Sequence, residues 1–302
     1  MRGSGMDDNL KGLAIALGGA LAIVPDTLLM RLSGLGAAPM VAWRGLLMAG
    51  VLLVLWAALA RDRRADLGAL ATPAGLAAVA AQAANAGLFA TGIANAPVAV
   101  VLFAVATVPI WSSLMGAAFL GDRAEGATLA ASAAVLAGIG ISVSGGGESA
   151  AGDALTGAAC GLAVAVALSA SFTLYRANPR LPVFLTVGAG ALISGSLGWI
   201  VAGSLTETRG WLPAIWITGL VILPVTFTSF GIASRYTVAA NVSLLLLLET
   251  VLGPVVVWIA LGEAVGPAGL AGGTVVVATL AIYLWEQRRR ALRRAYRAPA
   301  PR

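Results

Sequence analysis

Long apolar runs follow one another along the chain, separated by short stretches that contain charged residues, glycine or proline. The runs are continuous and do not alternate between apolar and polar positions, so they indicate helices rather than the strands of a membrane β-barrel. Each run is close to the roughly 20 residues with which a helix crosses a bilayer. The pattern predicts ten transmembrane helices, at about 12–31, 39–60, 72–91, 97–120, 126–145, 154–175, 182–203, 213–233, 239–261 and 266–286.

Composition points to the same class of protein. Of the 302 residues, 59% are apolar and only 11% are charged, whereas a soluble domain is about 25% charged. The single cysteine, Cys160, excludes a disulfide framework and a cysteine metal cluster, and the lack of histidine excludes a histidine triad or zinc site. No P-loop is present, so the chain alone cannot be an ATP-driven pump. We expect neither enzymatic activity nor a cofactor or metal.

The basic residues predict the orientation. With the N-terminus in the cytoplasm, the loops on that side carry nine of them before the tail, and the loops on the other side carry only Arg31 and Arg209. Seven more arginines lie between Arg288 and Arg302. Because positive loops favour the cytoplasm, both termini are predicted there, in a multi-pass protein of the inner (plasma) membrane. The tail is expected to bind anionic lipid, and no nucleic-acid partner is expected.

The two halves of the chain resemble each other. Gly121-Asp122 end the fourth predicted span, and Gly262-Glu263 end the ninth. Five helices per half is an odd number, so the second half must enter the membrane with the opposite orientation, as in the inverted repeats of transporters. The predicted organisation is a first five-helix repeat, a second five-helix repeat and a basic tail, at 1–148, 149–287 and 288–302.

Short motifs at matching places in the halves point to a known family. The fourth span contains Pro109 and ends in Leu120-Gly121-Asp122. Around the ninth span stand three more motifs: Arg235-Tyr236-Thr237, Leu248-Glu249 and Leu261-Gly262-Glu263. These resemble the "RYT…LEP…LGE" signature of the ten-helix EamA-type carriers in the drug/metabolite transporter superfamily. In two departures, Asp122 stands where the first repeat usually has glutamate, and Thr250 stands where proline often follows Glu249.

The resemblance implies a function. Such carriers are secondary transporters, so we expect export of small polar metabolites by alternating access, with amino acids as the best single expectation. A drug or nucleobase-type metabolite exporter of the same family is the alternative. An intramembrane enzyme and a passive channel are hypotheses from other classes. The resemblance also implies a central cavity lined by the first, third, fourth, sixth, eighth and ninth helices, and we expect a monomer.

Asp26 and Arg44 are the first candidate site residues. A rise of 1.5 Å per residue places Asp26 about 21 Å from the cytoplasmic edge and Arg44 about 8 Å below the opposite edge. In a core about 30 Å thick these depths match, which predicts an ion pair. Arg44 is also a candidate gate or a contact for a substrate carboxylate, or its side chain extends to the membrane interface.

Glu249 is the second candidate, about 14 Å into the ninth span and near the membrane midplane. We find no basic residue at that depth in a neighbouring span. The functional interpretations are proton coupling and capture of a substrate amine. The structural interpretation is a protonated carboxyl group that hydrogen-bonds to a neighbouring helix. The depths of Asp26 and Glu249 differ by about 7 Å, which argues against a joint catalytic pair.

The third span carries Gln82, Asn85 and Phe89 on one face, in a helix otherwise made of small and apolar residues. Two amides suit a polar ligand, so a cavity-lining role is predicted, with interhelical hydrogen bonding as the structural alternative. Trp111 in the fourth span is a candidate for stacking on an apolar or aromatic substrate. Kinks are expected at the intramembrane prolines Pro25, Pro109, Pro224 and Pro254.

Overall fold

The computed structural model describes residues 4–121, 130, 133–135, 137–138, 140–141, 148–205, 210–237, 239–262 and 266–297. All regular secondary structure in these residues is helical. The helices are α1 (Ser4–Ile23), α2 (Asp26–Ser33), α3 (Ala37–Leu59), α4 (Arg63–Leu70), α5 (Pro73–Asn95), α6 (Val98–Val105), α7 (Val108–Leu120), α8 (Glu148–Ala177), α9 (Val183–Ala202), α10 (Pro213–Ile217), α11 (Leu223–Tyr236), α12 (Ala239–Leu261) and α13 (Pro267–Arg297).

Within the described ranges, seven helical segments are long and apolar enough to cross a membrane. They are Leu10–Ser33, Ala37–Leu59, Pro73–Asn95, Val98–Leu120, Asp153–Ala177, Val183–Ala202 and Pro213–Tyr236. They correspond to the first four predicted spans and to the sixth, seventh and eighth. The chain is therefore a polytopic helical membrane protein. Helices α12 and α13 cover the ninth and tenth predicted spans, whereas most of the fifth, together with Asp122 and Glu263, lies outside the described residues.

Three of the four intramembrane prolines accompany an interruption of a helix. Pro25 stands between α1 and α2, and Pro109 is the second residue of α7, just after the break that ends α6. A π-helical turn, Thr218–Ile222, joins α10 to α11, whose second residue is Pro224. Pro254 lies inside α12, which continues past it. A missing N–H group and a ring that clashes with the preceding turn explain why proline coincides with such breaks.

Helices α3 and α9 pack in direct backbone contact. A Cβ atom added to Gly45 would lie 2.6 Å from the Cα atom of Gly195, and one added to Gly198 would lie 2.7 Å from the backbone nitrogen of Ala42. Only glycine allows this separation, because any side chain would meet main-chain atoms of the facing helix. Close approach through small residues is a common way for helices to associate in lipid, where apolar burial alone does not hold them together.

The other main contacts join the two halves of the chain. Helix α1 packs against α11, α5 packs against α8, and α6 and α7 pack against α8 and α12. Hydroxyl groups strengthen the last contact, because Ser112 Oγ lies 3.2 Å from Ser169 Oγ and 3.1 Å from Ser243 Oγ. These serines fasten the fourth, sixth and ninth predicted spans together near the middle of the bundle.

Helix α8 runs in the same direction as α6 and α7. Near the start of α8, an added Cβ at Gly157 would lie 2.5 Å from the Cβ of Ala96, just before α6. Farther along α8, Ser169 Oγ donates a 3.0 Å hydrogen bond to the carbonyl oxygen of Val108, at the start of α7. Leu120 and Glu148 therefore lie towards opposite ends of the bundle.

Candidate functional site: a central cavity

A cavity lies at the centre of the bundle. Its volume is about 30 Å³. The cavity is therefore tight in this conformation. Its lining is mostly apolar, with four polar side chains. It is lined by Ile23, Arg44, Gly45, Met48, Gln82, Asn85, Ala86, Phe89, Val105, Val164, Leu168, Val187, Ala191, Leu223, Phe227, Leu246 and Glu249.

The lining comes from more helices than the resemblance implies. The first, third, fourth, sixth, eighth and ninth spans contribute as expected, but the second and seventh contribute too. Helix α3 supplies Arg44, Gly45 and Met48, and α9 supplies Val187 and Ala191. The glycine contact holds α3 directly against α9, and residues of both helices next to this contact face the cavity.

The predicted ion pair between Asp26 and Arg44 is present. Arg44 Nη1 donates to Asp26 Oδ1 and Arg44 Nη2 to Asp26 Oδ2, each at 2.8 Å. The pair is bidentate, and the Asp26 side chain is fully buried. Asp26 begins α2 at the Pro25 break, so the interrupted helix brings its carboxylate to the arginine. Arg44 lines the cavity, whereas Asp26 is not part of the lining. The bidentate contact with Asp26 fixes the orientation of the Arg44 guanidinium group.

Glu249 lines the same cavity and is 2% exposed. Its Oε1 atom is buried and has no hydrogen-bond partner in the described part of the chain. The hydroxyl oxygen of Thr27 is in the same situation nearby. A Cβ atom added at Gly253, one turn after Glu249, would lie 3.3 Å from Thr27 Oγ1 and 4.0 Å from Glu249 Cγ. A buried carboxyl oxygen without a partner is costly, which makes it a candidate ligand-binding group.

The prediction that no cation lies near Glu249 is wrong. Arg44 lines the same cavity, and both Arg44 and Asp26 interact electrostatically with Glu249. The depth estimate gives the position of the Arg44 backbone. It does not account for the long side chain, which can carry the charge along the membrane normal, away from the backbone position.

The polar stripe of α5 faces the cavity. Gln82, Asn85 and Phe89 are all buried in the bundle and all line it. The guanidinium carbon of Arg44 lies 5.9 Å from the centroid of the Phe89 ring, within the range of a cation–π contact. The polar stripe of α5 therefore lies next to the Asp26–Arg44 ion pair. Its role in substrate binding stays a prediction.

Trp111 does not line the cavity. Its indole nitrogen donates a 3.1 Å hydrogen bond to Thr107 Oγ1, one turn earlier at the break between α6 and α7. The ring packs against the main apolar core. These contacts favour a structural role for Trp111 at the break, and its predicted stacking on a substrate finds no support in its position.

Comparison with known proteins gives only the fold. No family model matches the sequence, and no curated protein matches it significantly. A solved structure described only as "Crystal structure of protein" superposes with a TM-score of 0.65 over 92% of this chain and 98% of that chain, at 18% sequence identity. Its description names no organism, ligand or activity. At this identity the likeness shows a shared fold over nearly the whole length of both chains, and nothing about function.

Proposed function

We propose that this protein is a secondary carrier of the EamA type that exports small polar metabolites, with amino acids as the best single expectation, across the inner membrane by alternating access. The observation that carries the proposal is the central cavity, which combines an ion-paired arginine, two amides and an acid whose Oε1 atom has no partner among the described residues. Transporter substrate sites lie between repeats near the membrane midplane. No cofactor is needed for such a carrier.

The packing of the helices supports an inverted repeat of two five-helix halves, at 1–148 and 149–287. Within its half, the seventh span is the counterpart of the second and the ninth is the counterpart of the fourth. The second span packs against the seventh and the fourth against the ninth, so each packs against its own counterpart. The first span packs against the counterpart of the third, and the third packs against the counterpart of the first, so these two contacts are equivalent. Gly121 and Gly262 end their helices with similar left-handed φ angles, 72° and 70°.

The direction of the helices supports ten crossings. Helix α8 runs parallel to α6 and α7, which agrees with the proposal of one membrane crossing between Leu120 and Glu148. Val135 and Gly138, which fall in the fifth predicted span, contact the bundle, and an added Cβ at Gly138 would lie 2.9 Å from the carbonyl oxygen of Gly272 in α13. One further membrane helix in this part of the chain would provide this crossing.

The basic residues support termini in the cytoplasm. Lys11 at the start of α1 lies 4.8 Å from the ring centroid of Tyr236 at the end of α11. Arg61, Arg180 and Arg235 share one cleft at this end of the bundle. At the opposite end Arg31 donates a 2.7 Å hydrogen bond to the carbonyl oxygen of Ala96. The end richer in cations is the cytoplasmic one by the positive-inside rule, and the basic tail would bind anionic lipid there.

The chemistry of the cavity supports a zwitterionic substrate. Glu249 offers a buried carboxyl oxygen to an ammonium group, and Gln82 and Asn85 offer amide donors to a carboxylate. Arg44 adds positive charge, although Asp26 already occupies its two outer nitrogens. The present cavity admits a few water molecules and no metabolite, so binding requires the halves to move apart. Rocking of the two halves around the cavity would supply that movement.

Purified protein in liposomes tests the proposal against other classes of function. We expect uptake of labelled amino acids that saturates with concentration and that unlabelled substrate competes for. Linear, non-saturating flux would identify a channel, and conversion of the added compound would identify an enzyme. A panel that also contains nucleosides and organic cations tests the alternative, a drug or nucleobase-type exporter.

Leucine in place of Gln82 or Asn85 is expected to reduce flux by roughly five- to thirtyfold, because each amide contact to a polar ligand contributes about 1–2 kcal/mol in the membrane interior. Insertion and monodispersity should be unchanged. Asn95 is the matched control, since it lies on the same helix but is exposed and bonds the carbonyl oxygen of Thr91. Normal flux in the Gln82→Leu/Asn85→Leu double variant would show that the stripe serves helix packing alone.

Cysteine labelling tests the orientation. In a Cys160→Ser background, a cysteine at Ser149 should react with an impermeant reagent only from outside, and one at Arg63 only from the cytoplasm. These positions lie at the start of α8 and of α4. Reaction of both positions from the same side would contradict the ten-helix arrangement and the inverted repeat together.

A further inference from the structure

A second cleft opens at the end of the bundle where α3 and α11 end and α9 begins. The cleft has a volume of about 300 Å³, ten times that of the central cavity, and is partly open to solvent. It is therefore accessible from solution in this conformation, whereas the central cavity is tight. Its lining residues are Trp56, Leu59, Ala60, Arg61, Asp66, Arg180, Leu181, Pro182, Val183, Phe184, Ile232 and Arg235.

Three arginines from separate parts of the chain converge on this cleft. Arg61 follows α3, Arg180 lies between α8 and α9, and Arg235 is in the last turn of α11. Arg235 donates a hydrogen bond to the carbonyl oxygen of Leu181. The single acid of the lining, Asp66, accepts a 2.8 Å hydrogen bond from the indole nitrogen of Trp56. Three guanidinium groups against one carboxylate leave the cleft with a net positive charge that suits an anionic group.

One continuous apolar cluster separates the cleft from the central cavity. Met48, Val187 and Leu223 belong to this cluster and line the cavity, while Leu181 and Val183 belong to it and line the cleft. The cluster therefore fills the space between the two openings. In the present conformation it closes the way from one to the other.

Tyr175 is the largest residue of this cluster and is fully buried. Its hydroxyl group has no hydrogen-bond partner of good geometry among the described residues. Gln82, from the cavity, and Arg235, from the cleft, both lie close enough to influence it, as does Thr186. A buried hydroxyl without a partner is costly, because it has lost its hydrogen bonds to water and gained none in the protein. The Tyr175 hydroxyl group lies between Gln82 in the cavity and Arg235 in the cleft. In this position it can form a hydrogen bond to a ligand when the apolar cluster opens.

We infer that the arginine cleft is an entrance site that binds the carboxylate of the transported molecule, and that Tyr175 forms the barrier across which this carboxylate passes to Gln82 in the central cavity. The inference rests on the proposed function and adds a substrate class, small molecules that carry a carboxylate. The arginines concentrate the anion at the mouth of the path. The tyrosine hydroxyl can then donate to the carboxylate between the last arginine and the first amide.

The test compares the Arg61→Gln/Arg180→Gln double variant with an Arg63→Gln/Arg64→Gln double variant. The second pair lies on α4, outside the cleft lining, and removes the same charge. Arg235 is kept because its hydrogen bond to the carbonyl oxygen of Leu181 is part of the cleft wall itself. Two measurements are made: binding of labelled amino acids to protein in detergent without lipid, and concentration-dependent uptake into liposomes of neutral lipid, with and without added anionic lipid. Each is repeated with the corresponding amines, which lack the carboxylate.

The cleft variant is expected to bind amino acids at least tenfold more weakly and to show a correspondingly higher KM at an unchanged maximal rate, because it loses charge-assisted hydrogen bonds to the carboxylate. The amines and the α4 control should show no change. Tyr175→Phe keeps the ring and should lower the maximal rate several-fold at an unchanged KM, since it removes the donor from the passage and leaves the entrance intact.

Other outcomes separate the two proposals. If the parent binds amino acids through the cleft but transports nothing, the proposed function fails and the cleft remains a carboxylate site. If the parent transports amino acids and the cleft variant matches it in binding and KM, the entrance inference fails and the carrier stands. An effect of the arginines that appears only when anionic lipid is added would show a lipid-headgroup site and would overturn the inference.

Discussion

Replacing Asp26 with asparagine is expected to destabilise the folded protein by about 3 kcal/mol or more, because it leaves the buried Arg44 guanidinium without its anion. Both guanidinium–carboxylate hydrogen bonds, each 2.8 Å long, would be lost as charge-assisted contacts. Thermal unfolding of the purified protein in detergent should report this as a clear fall in Tm. Asp153→Asn provides the control, since that aspartate lies exposed on α8.

The Asp26→Asn/Arg44→Gln double variant separates the effect of leaving one buried charge unpaired from the effect of losing Arg44 in the cavity. Removing both charges together avoids an uncompensated buried ion, so much of the stability should return. Transport should not return, because Arg44 also faces the cavity beside Phe89. Arg44→Lys should remain impaired, since an ammonium group cannot form the bidentate pair. If Asp26→Asn unfolds at the temperature of the parent, the ion pair does not hold the broken first span in place.

Replacing Glu249 with glutamine is expected to remove most of the pH dependence of transport between mildly acidic and neutral buffer. The carboxyl group lines the path, and the charged groups that act on it are Asp26 and Arg44, which are paired with each other. Glu249 is thus the group free to gain and lose a proton as the cavity opens. Glutamine preserves its shape and hydrogen-bonding capacity, so the fold should be kept.

The measurement is the ratio of initial uptake rates at the two pH values, in parent and variant liposomes. For Glu249→Gln the ratio should approach one, whereas Glu286→Gln, an exposed control on α13, should keep the ratio of the parent. A pH profile that survives in Glu249→Gln would assign Glu249 a structural hydrogen-bonding role. A parent without any pH dependence would indicate a uniporter or exchanger without proton coupling.

Local pattern and depth were enough to predict much of the site. The stripe of Gln82, Asn85 and Phe89 follows from helical periodicity, and all three residues line the cavity. The pairing of Asp26 with Arg44 follows because two opposite charges in lipid at matching depth stabilise each other. The segments that cross the membrane follow from the length of the apolar runs.

Features that depend on which helices meet could not be predicted in this way. The arginines of the cleft are far apart in the chain, and only the packing of α3, α9 and α11 brings them together. The same packing places Arg44 near Glu249 and Tyr175 between the two openings. Small residues and prolines signal that helices approach or break, but the partner of each helix is decided by tertiary contacts.

The glycine contact between α3 and α9 changes how loss-of-function variants of this protein should be interpreted. Gly45 and Gly195 carry no chemistry, yet neither position has room for even a methyl group against the facing backbone. In a genetic screen such positions would tolerate fewer residue types than many polar positions of the cavity wall. An inactive variant at Gly45 would therefore indicate that α3 and α9 have been forced apart. Although Gly45 directly follows Arg44 in the chain, such a variant would give no evidence about substrate binding.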